Sequence, residues 1–260
     1  MKISTLVKHL EQIAPAHLQE TYDNSGLIVG RSDQNVSAAL ITLDCTEAVV
    51  AEAIELGANL IIAHHPIVFS GLKRFNGKNY VERTVMMAIK NDIAIYAIHT
   101  NLDAVMDGVN SMIARKLQLH KLKILQSRND DGTIGAGMIG EFREAIDVKA
   151  FLERVKIQFN VPFIKHTKVL KPYVQKIAFC GGSGSFLLED AKAAEADVFL
   201  SSDFKYHQYF DAEEKLVIAD IGHYEAEIFT KDLIYEILTE KFPTFTLHFS
   251  KENTNPVNYF

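Results

Sequence analysis

Two apolar runs of the sequence end in histidine, and the chemistry of the chain concentrates at these ends. The first run ends at His64-His65, and the second ends at His99, four residues before Asp103. Imidazole and carboxylate groups at the ends of neighbouring buried strands can form a metal site or an acid/base site, because strand ends are rigid and their side chains face a crevice. We therefore predict a functional site built around these four residues.

The adjacency of His64 and His65 limits how both can serve one site. On a regular strand, adjacent side chains point to opposite faces. Pro66 follows the pair, cannot donate a ladder hydrogen bond and restricts the residue before it, so we expect the strand to end and the backbone to turn here. Either the turn brings both imidazoles to one metal, or each imidazole serves a different metal of a pair.

A second pair of candidate ligands, His223 and Glu227, lies far along the chain. A helix is expected to begin near His223, and residues four apart lie one turn apart on the same helix face. The positive end of a helix disfavours imidazolium, so we expect His223 to be neutral and able to bind a metal.

The three imidazoles of His64, His65 and His223 and the two carboxylates suit zinc, manganese, iron or cobalt, whereas calcium would need more oxygen ligands. Asp103 or Glu227 could bridge two ions about 3.5 to 4 Å apart, the usual spacing in two-metal hydrolytic sites that activate water. A single histidine or carboxylate in these positions would more often be structural. The combination of these residues is what predicts a metal site.

Two further motifs follow apolar strands of the second half. The segment Gly181-Gly182-Ser183-Gly184-Ser185 is similar to a phosphate-cradling turn, but it lacks the Lys-Ser/Thr ending of a P-loop, so a tight strand-to-helix turn is the favoured interpretation. In the polar segment 202–207, Asp203, Lys205 or His207 could contact substrate or transfer a proton. Helix capping by Asp203 is the structural alternative.

Composition places the chain among ordinary globular proteins. Its 260 residues are 48% hydrophobic and 23% charged, enough for one large core or two modest ones. A net charge of -6 argues against a nucleic-acid or anionic-membrane surface. We see neither a signal-peptide start nor a membrane-spanning run, and Cys45 and Cys180 look like packing residues, so we expect a cytoplasmic protein.

The order of elements predicts an α/β fold. From about residue 38, apolar strands alternate with helical patterns, which indicates βαβ units and parallel strands. A shift towards polar and turn-forming residues places a domain boundary near residue 125, with one lobe at 1–125 and the other at 126–260.

A weak internal duplication supports two lobes. A shift of 138 residues aligns 58–65 with 196–203, and a shift of 124 pairs His99 with His223. We therefore predict two similar α/β lobes whose mixed, largely parallel sheets are flanked by helices and whose strand ends face a shared cleft.

Taken together, these motifs resemble the Nif-three-like dinuclear-metal family, whose members are called GTP cyclohydrolase I type 2 homologues. The resemblance covers nearly the whole chain, and several blocks in the same order make it more specific than any single motif. The blocks are Tyr22-Asp23-Asn24-Ser25-Gly26-Leu27, Ala63-His64-His65-Pro66-Ile67-Val68-Phe69, His99-Thr100-Asn101-Leu102-Asp103, Gly181-Gly182-Ser183-Gly184-Ser185-Phe186, Ser202-Asp203-Phe204-Lys205-Tyr206-His207 and Gly222-His223-Tyr224-Glu225-Ala226-Glu227.

The resemblance implies a complete ligand set and an assembly. It implies two divalent metal ions in the cleft between the lobes and a toroidal homohexamer, with this chain as the short form that lacks an inserted middle domain. One departure is Ser201-Ser202-Asp203, where relatives often have Thr-Gly-Asp or Thr-Gly-Glu, and it affects the predicted substrate loop. The implied metal ligands are His64, His65, Asp103, His223 and Glu227.

The implied activity is metal-dependent hydrolysis at the guanine C8 position of GTP, with His99 or His207 transferring protons and Asp203 and Lys205 contacting substrate. Our first hypothesis is accordingly a metal-dependent hydrolase acting on a nucleotide or another small metabolite. The alternative is a non-catalytic assembly for metal binding, metal delivery or regulation, in which the ligands would matter but Lys205 and His207 would not.

Overall fold

The computed structural model describes residues 1–260 and has two mixed β-sheets flanked by helices. The helices are α1 (Ile3–Ile13), α2 (Glu47–Glu55), α3 (Tyr80–Lys90), α4 (Thr100–Asp103), α5 (Val109–Leu117), α6 (Val148–Phe159), α7 (Leu188–Ala193), α8 (His223–Glu227) and α9 (Thr230–Lys241). The strands are β1 (Gly26–Val29), β2 (Ala38–Thr42), β3 (Leu60–Ala63), β4 (Ala94–Ala97), β5 (His120–Ser127), β6 (Gly135–Asp147), β7 (Lys165–His166), β8 (Tyr173–Ser183), β9 (Val198–Ser202), β10 (Val217–Asp220) and β11 (Thr246–Phe249). Short 3-10 helices span Ala16–Leu18, Ser185–Leu187 and Tyr206–Ala212.

The chain forms two compact units. The first contains residues 1–102 and 230–258, and the second contains residues 103–229 and 259–260. The boundary expected near residue 125 therefore falls inside β5 of the second unit. The polar residues there belong to a largely exposed strand that pairs with β6. Residues 230–258 belong to the first unit, where β11 pairs with β2.

The first unit has a five-stranded sheet in the order β1-β4-β3-β2-β11. All neighbours except β1 and β4 are parallel, as the alternating pattern predicts. Strands β2, β3 and β4 are buried along their whole length, which accounts for their continuous apolar runs. Val49 of α2 and Val85 of α3 belong to the same buried cluster as Ile61 of β3. The carboxyl ends of the three central strands consequently meet at one edge of a rigid sheet.

The second unit has a six-stranded sheet in the order β5-β6-β8-β9-β10-β7. Only β8, β9 and β10 are mutually parallel, and the outer strands are antiparallel to their neighbours. The description "largely parallel" therefore fits the first sheet and not the second. Phe199, Ile218 and Leu187 lie in a buried cluster of this unit.

The internal duplication is visible in the topology of each sheet. The strand order β1-β4-β3-β2 in the first unit corresponds to β7-β10-β9-β8 in the second. In each set the first strand is antiparallel and the other three are parallel. The two units are thus similar α/β lobes, as predicted.

The starts of α6 and α1 are stabilised in different ways. Asp147 caps α6, since its carboxylate accepts hydrogen bonds from the amides of Lys149 and Ala150. Ser4 is a residue type that often caps helices, but it lies inside α1, which begins at Ile3. The amides of Ile3 and Ser4 instead donate to carbonyls of residues 34 and 32, so no side-chain cap is needed.

Two further expectations concern the burial of the cysteines and the presence of membrane-spanning helices. Cys45 and Cys180 are both buried and reduced, in agreement with a packing role. No helix is long and apolar enough to cross a membrane.

Candidate metal centre

Three histidines converge at the edge of the first sheet. His64 and His65 follow β3, and His99 follows the parallel neighbour β4. One ring nitrogen of each lies within 4.8 Å of one ring nitrogen of the other two. The ring centroids of His64 and His65 are 4.9 Å apart, and each is 5.2 Å from the His99 centroid.

The backbone bends where the sequence predicts it. Strand β3 ends at Ala63, and the amides of both His64 and His65 donate to the carbonyl of Leu43, at 3.1 and 3.0 Å. Two successive amides cannot reach one acceptor on a regular strand, where they alternate in direction. This bend before Pro66 turns two adjacent side chains into one cluster.

The Nδ1 atoms of the three imidazoles all face oxygen acceptors. His64 Nδ1 lies 2.8 Å from the carbonyl of Ile98, and a carbonyl only accepts, so this nitrogen donates. His65 Nδ1 lies 2.7 Å from Asp44, and His99 Nδ1 lies 2.8 Å from Asp23. Each neutral ring therefore carries its proton on Nδ1 and its lone pair on Nε2. Metal-binding histidines are oriented in this way.

Asp23 fixes His99 from the loop that precedes β1. Its side chain is completely buried, and it also accepts hydrogen bonds from Thr100 and from the amide of Asn24. Burial alone would raise its pKa, but the hydrogen bonds from His99 and Thr100 outweigh burial and hold the pKa of Asp23 well below its usual range. The residue thus forms a turn and also supports the histidine cluster.

Asp44 is a supporting residue that sequence reasoning missed. It follows β2, the parallel neighbour of β3, so it arises from the same edge of the sheet as His64 and His65. Burial opposes its charge, yet the hydrogen bond from His65 lowers the pKa of Asp44. The signal was present, since a carboxylate directly after a buried strand satisfies the strand-end argument that selected the histidines.

In the second unit, helix α8 begins at His223 and ends at Glu227, as the spacing predicts. His223 Nε2 lies 3.0 Å from Glu227, and His223 Nδ1 lies 2.6 Å from Asp203. Burial favours neutral imidazole, but the hydrogen bonds with these two carboxylates raise the pKa of His223 to about 11. The expectation of a neutral His223 rests on the helix end alone, and in the metal-free protein the two nearby carboxylates act against it.

Asp103 and Glu227 approach each other within the second unit. Each offers a carboxylate oxygen, and these oxygens lie within 4.8 Å of one another. Buried Asn110 supports this arrangement, because its side-chain amide donates to the Asp103 carbonyl at 3.3 Å and its side-chain oxygen accepts from the Gly181 amide at 2.9 Å. Burial and the charges of Asp103 and Glu227 raise the pKa of Cys180, so its thiol stays protonated. Two like charges at this separation favour a cation beside them.

The glycine motif begins inside β8 and makes room for these ligands. A Cβ atom on Gly182 would lie 2.3 Å from Oε1 of Glu227 and 3.2 Å from Cε1 of His223. Its φ of +60° is also a conformation that side chains disfavour. Gly182 lies in β8, one residue before the strand ends, and its missing side chain provides the space that Glu227 occupies.

The residues predicted to handle substrate lie after β9. Asp203 is bonded to His223, and half of its side chain is exposed. It does not cap the following 3-10 helix, whose N-cap is Lys205. Lys205 and His207 are exposed, and the His207 ring lies 5.2 Å from the ring of Tyr206.

The donors fit divalent transition metals. The first unit brings together three imidazoles with lone pairs on Nε2, and the second brings together a carboxylate pair and an imidazole. Imidazole and carboxylate are the ligands that zinc, manganese, iron and cobalt prefer. The proton that the carboxylates favour on His223 would be released when a cation binds, since a cation satisfies the same carboxylates.

Comparison with known proteins places these features in a family. Residues 1–256 match the sequence profile of a family described as Duf34/NIF3 (NGG1p interacting factor 3). A protein of Clostridium perfringens named GTP cyclohydrolase 1 type 2 homolog is 36% identical over 228 residues, which cover 87% of each chain. A protein of the same name from Staphylococcus epidermidis is 26% identical over 366 aligned positions that span all of both chains, so it contains residues that this shorter chain lacks.

A solved structure agrees with the fold. The crystal structure of a Bacillus cereus protein related to NIF3 has a TM-score of 0.90 and 26% sequence identity to this chain. The match covers 100% of this chain and 99% of that one.

Proposed function

Because the chain belongs to the Duf34/NIF3 family, we propose that it binds divalent metal ions and uses them to hydrolyse a nucleotide or a related small metabolite. The observation that carries the proposal is the cluster of His64, His65 and His99, in which hydrogen bonds at Nδ1 leave the lone pair of each ring on Nε2. In the proposal this nitrogen binds metal in His64 and His65 and accepts a proton in His99. A structural histidine cluster would not require the same tautomer three times.

The metal ligands in this proposal are His64 and His65 of the first unit together with Asp103, His223 and Glu227 of the second. Five protein ligands are too many for one catalytic zinc ion with an open position, and they suit a pair of ions that share a carboxylate. The proposed ions are zinc, manganese, iron or cobalt. When bound, they would supply Lewis-acid activation of water and substrate.

His99 is proposed to transfer protons. It belongs to the cluster, but only 15% of its side chain is exposed and its Nδ1 proton is bonded to the ionised, fully buried Asp23. A carboxylate in this position fixes the tautomer and stabilises imidazolium, so Nε2 can accept a proton and return it. His207 is a second, exposed candidate for the same role.

Asp203 and Lys205 are proposed to contact substrate. Lys205 offers a positive charge on an exposed side chain, which suits a phosphate group, and the half-exposed Asp203 offers an acceptor beside His223. The name that the curated relatives carry makes GTP the first substrate to test, with hydrolysis at guanine C8 as the expected reaction.

The test is turnover by protein loaded separately with each of the four metals. GTP and a panel of nucleotides and phosphorylated metabolites are incubated with each form, and products are identified by mass spectrometry. We expect turnover with at least one metal and its loss in His64→Ala. Stable metal binding without turnover, together with rapid transfer of metal to an apo-acceptor, would reject the hydrolase and support metal delivery instead.

The assembly is a separate proposal. The family resemblance leads us to expect a homohexamer. Sedimentation equilibrium tests this expectation directly, because a monomer or dimer of this 260-residue chain differs several-fold in mass from a hexamer.

A further inference from the structure

The last residues of the chain run without regular secondary structure after β11 and are fixed at their start. The amide of Ser250 donates to the carbonyl of Ile41, at 2.8 Å. Both the Ser250 hydroxyl and the Lys251 amide bond to the carboxylate of Glu52, at 2.5 and 2.8 Å. This segment, residues 250–260, therefore leaves the first sheet in a defined direction.

Thr254 contacts the residue that orients His65. Its hydroxyl donates to Oδ2 of Asp44 at 2.6 Å, while Oδ1 of the same carboxylate accepts from His65 Nδ1 at 2.7 Å. About a third of the Asp44 side chain is exposed, so packing alone does not fix its rotamer. The Thr254 hydroxyl occupies one carboxylate oxygen and thereby directs the other towards the imidazole.

Tyr259 makes a comparable contact in the second unit. Its ring packs edge-on against Phe163, with centroids 4.6 Å apart, and its hydroxyl bonds to Glu225. The hydroxyl also lies beside Gly222, which precedes α8 and has a φ of +89°. A Cβ atom on Gly222 would lie 2.3 Å from Glu225 and 3.2 Å from the Tyr259 hydroxyl. Tyr259 thus helps to hold the start of the helix that carries His223 and Glu227.

We propose that the C-terminal segment 250–260 positions metal ligands, with Thr254 acting through Asp44 on His65 and Tyr259 acting through Glu225 on α8. This inference rests on the proposed metal-binding function. Neither residue would touch the metal, so both are positioning residues. Outer partners of metal-binding histidines commonly affect affinity because they fix the tautomer and the orientation of the ring.

The first experiment uses metal-free protein, so it does not depend on metal binding. Long-range proton-nitrogen spectra report the tautomer of His65 in the wild type, Thr254→Val and Thr254→Ser. Valine matches the shape of threonine without its hydroxyl, and serine keeps the hydroxyl. We expect a single Nδ1-protonated tautomer in the wild type and in Thr254→Ser, and a mixture of tautomers in Thr254→Val.

The second experiment measures the dissociation constant and the visible spectrum of bound cobalt. We expect roughly tenfold weaker binding in Thr254→Val, at the lower end of the effects of outer partners, with rescue in Thr254→Ser. Tyr259→Phe keeps the ring contact with Phe163 but loses the bond to Glu225, and we expect it to weaken binding as well. A changed cobalt spectrum would show altered ligand geometry rather than partial unfolding.

The outcomes separate this inference from the proposed function. Wild-type affinity and an unchanged His65 tautomer in Thr254→Val would overturn the inference. If the wild type binds no cobalt, the proposed function fails, and the tautomer measurement alone decides whether Thr254 positions His65.

Discussion

Oδ1 of Asp44 accepts a hydrogen bond from Nδ1 of His65 at a distance of 2.7 Å. The two residues follow neighbouring parallel strands, so the contact is fixed by the register of β2 and β3 rather than by a flexible loop. Nδ1 is engaged and protonated, which leaves Nε2 as the ligand atom. A metal site that depends on such pairs should respond to changes in residues that do not bind the metal but form hydrogen bonds with its ligands.

Asp44→Ala should weaken metal binding by roughly 10- to 100-fold, because His65 loses the partner that sets its tautomer. Competition with a chromophoric chelator measures this affinity. Asp33→Ala is the matched control, since Asp33 is an exposed carboxylate of the same unit whose ion pair with Arg31 lies at the surface. Equal affinities in the two variants would contradict the role of Asp44.

His99→Gln should keep the bound metal and lose turnover, because we assign His99 to proton transfer and not to the five ligands. Elemental analysis and product formation are measured on the same sample. His166→Gln, which changes an exposed histidine of the second unit, serves as the control. Loss of an ion from His99→Gln would make His99 a ligand and would remove it from the proton-transfer role.

Gly182→Ala should displace the carboxylate of Glu227 and lower metal occupancy, because the new Cβ would lie 2.3 Å from Oε1. Gly132→Ala is a close control. Gly132 has a similar positive φ of +70°, but a Cβ there meets nothing within 4 Å. Both variants should lose about 1 to 2 kcal/mol of unfolding free energy from backbone strain, and only Gly182→Ala should lose metal. Equal metal content in the two proteins would refute the steric argument.

Asp197→Asn should reduce stability at neutral pH and much less in acid. The partly buried Asp197 carboxylate accepts from the amides of Gln175 and Lys176 and from the Lys171 ammonium, at 2.9, 3.0 and 2.9 Å. Burial opposes its charge, but these bonds outweigh burial and lower the pKa of Asp197 below its ordinary 3.8. The unfolded chain then binds the proton more tightly, so the stabilisation is present above pH 3.8 and is lost as the pH falls through the folded pKa.

Urea unfolding from pH 7 to pH 3 measures this dependence. At pH 7 the free energy of unfolding of the wild type should exceed that of Asp197→Asn by about 1 to 3 kcal/mol. This difference should shrink below pH 4. Comparison of the two proteins cancels the titration of the other carboxylates. A difference that stays constant with pH would mean that the charge of Asp197 contributes nothing.

The sequence predicts most of the first sheet because its signals are local. The runs before His64 and His99 are apolar throughout, and their strands are buried on both faces. It predicts β5 poorly because an edge strand with an exposed face looks like a polar linker. The late return of β11 to β2 could not be predicted from composition, since it depends on a pairing between residues about 200 positions apart.

The candidate site shows the same division. The spacing of His223 and Glu227 predicts a contact within one helical turn, and the structure has it at 3.0 Å. The charge state of His223 was not predictable from the helix alone, because Asp203 approaches it from another element. The contact between Thr254 and Asp44 could not be predicted from the sequence, because the two residues are 210 positions apart and neither belongs to a recognisable motif.

We propose that two ligand sets bind the same pair of metal ions. One set contains His64 and His65, and the other contains Glu227, which lies 162 residues after His65 in the sequence. The most direct test is the number of metal ions per chain in the purified wild type and in Glu227→Gln, measured by elemental analysis. The mass and the folded state of both proteins are checked on the same samples. The proposal predicts two ions in the wild type and fewer in the variant. Full retention of both ions in Glu227→Gln would contradict it.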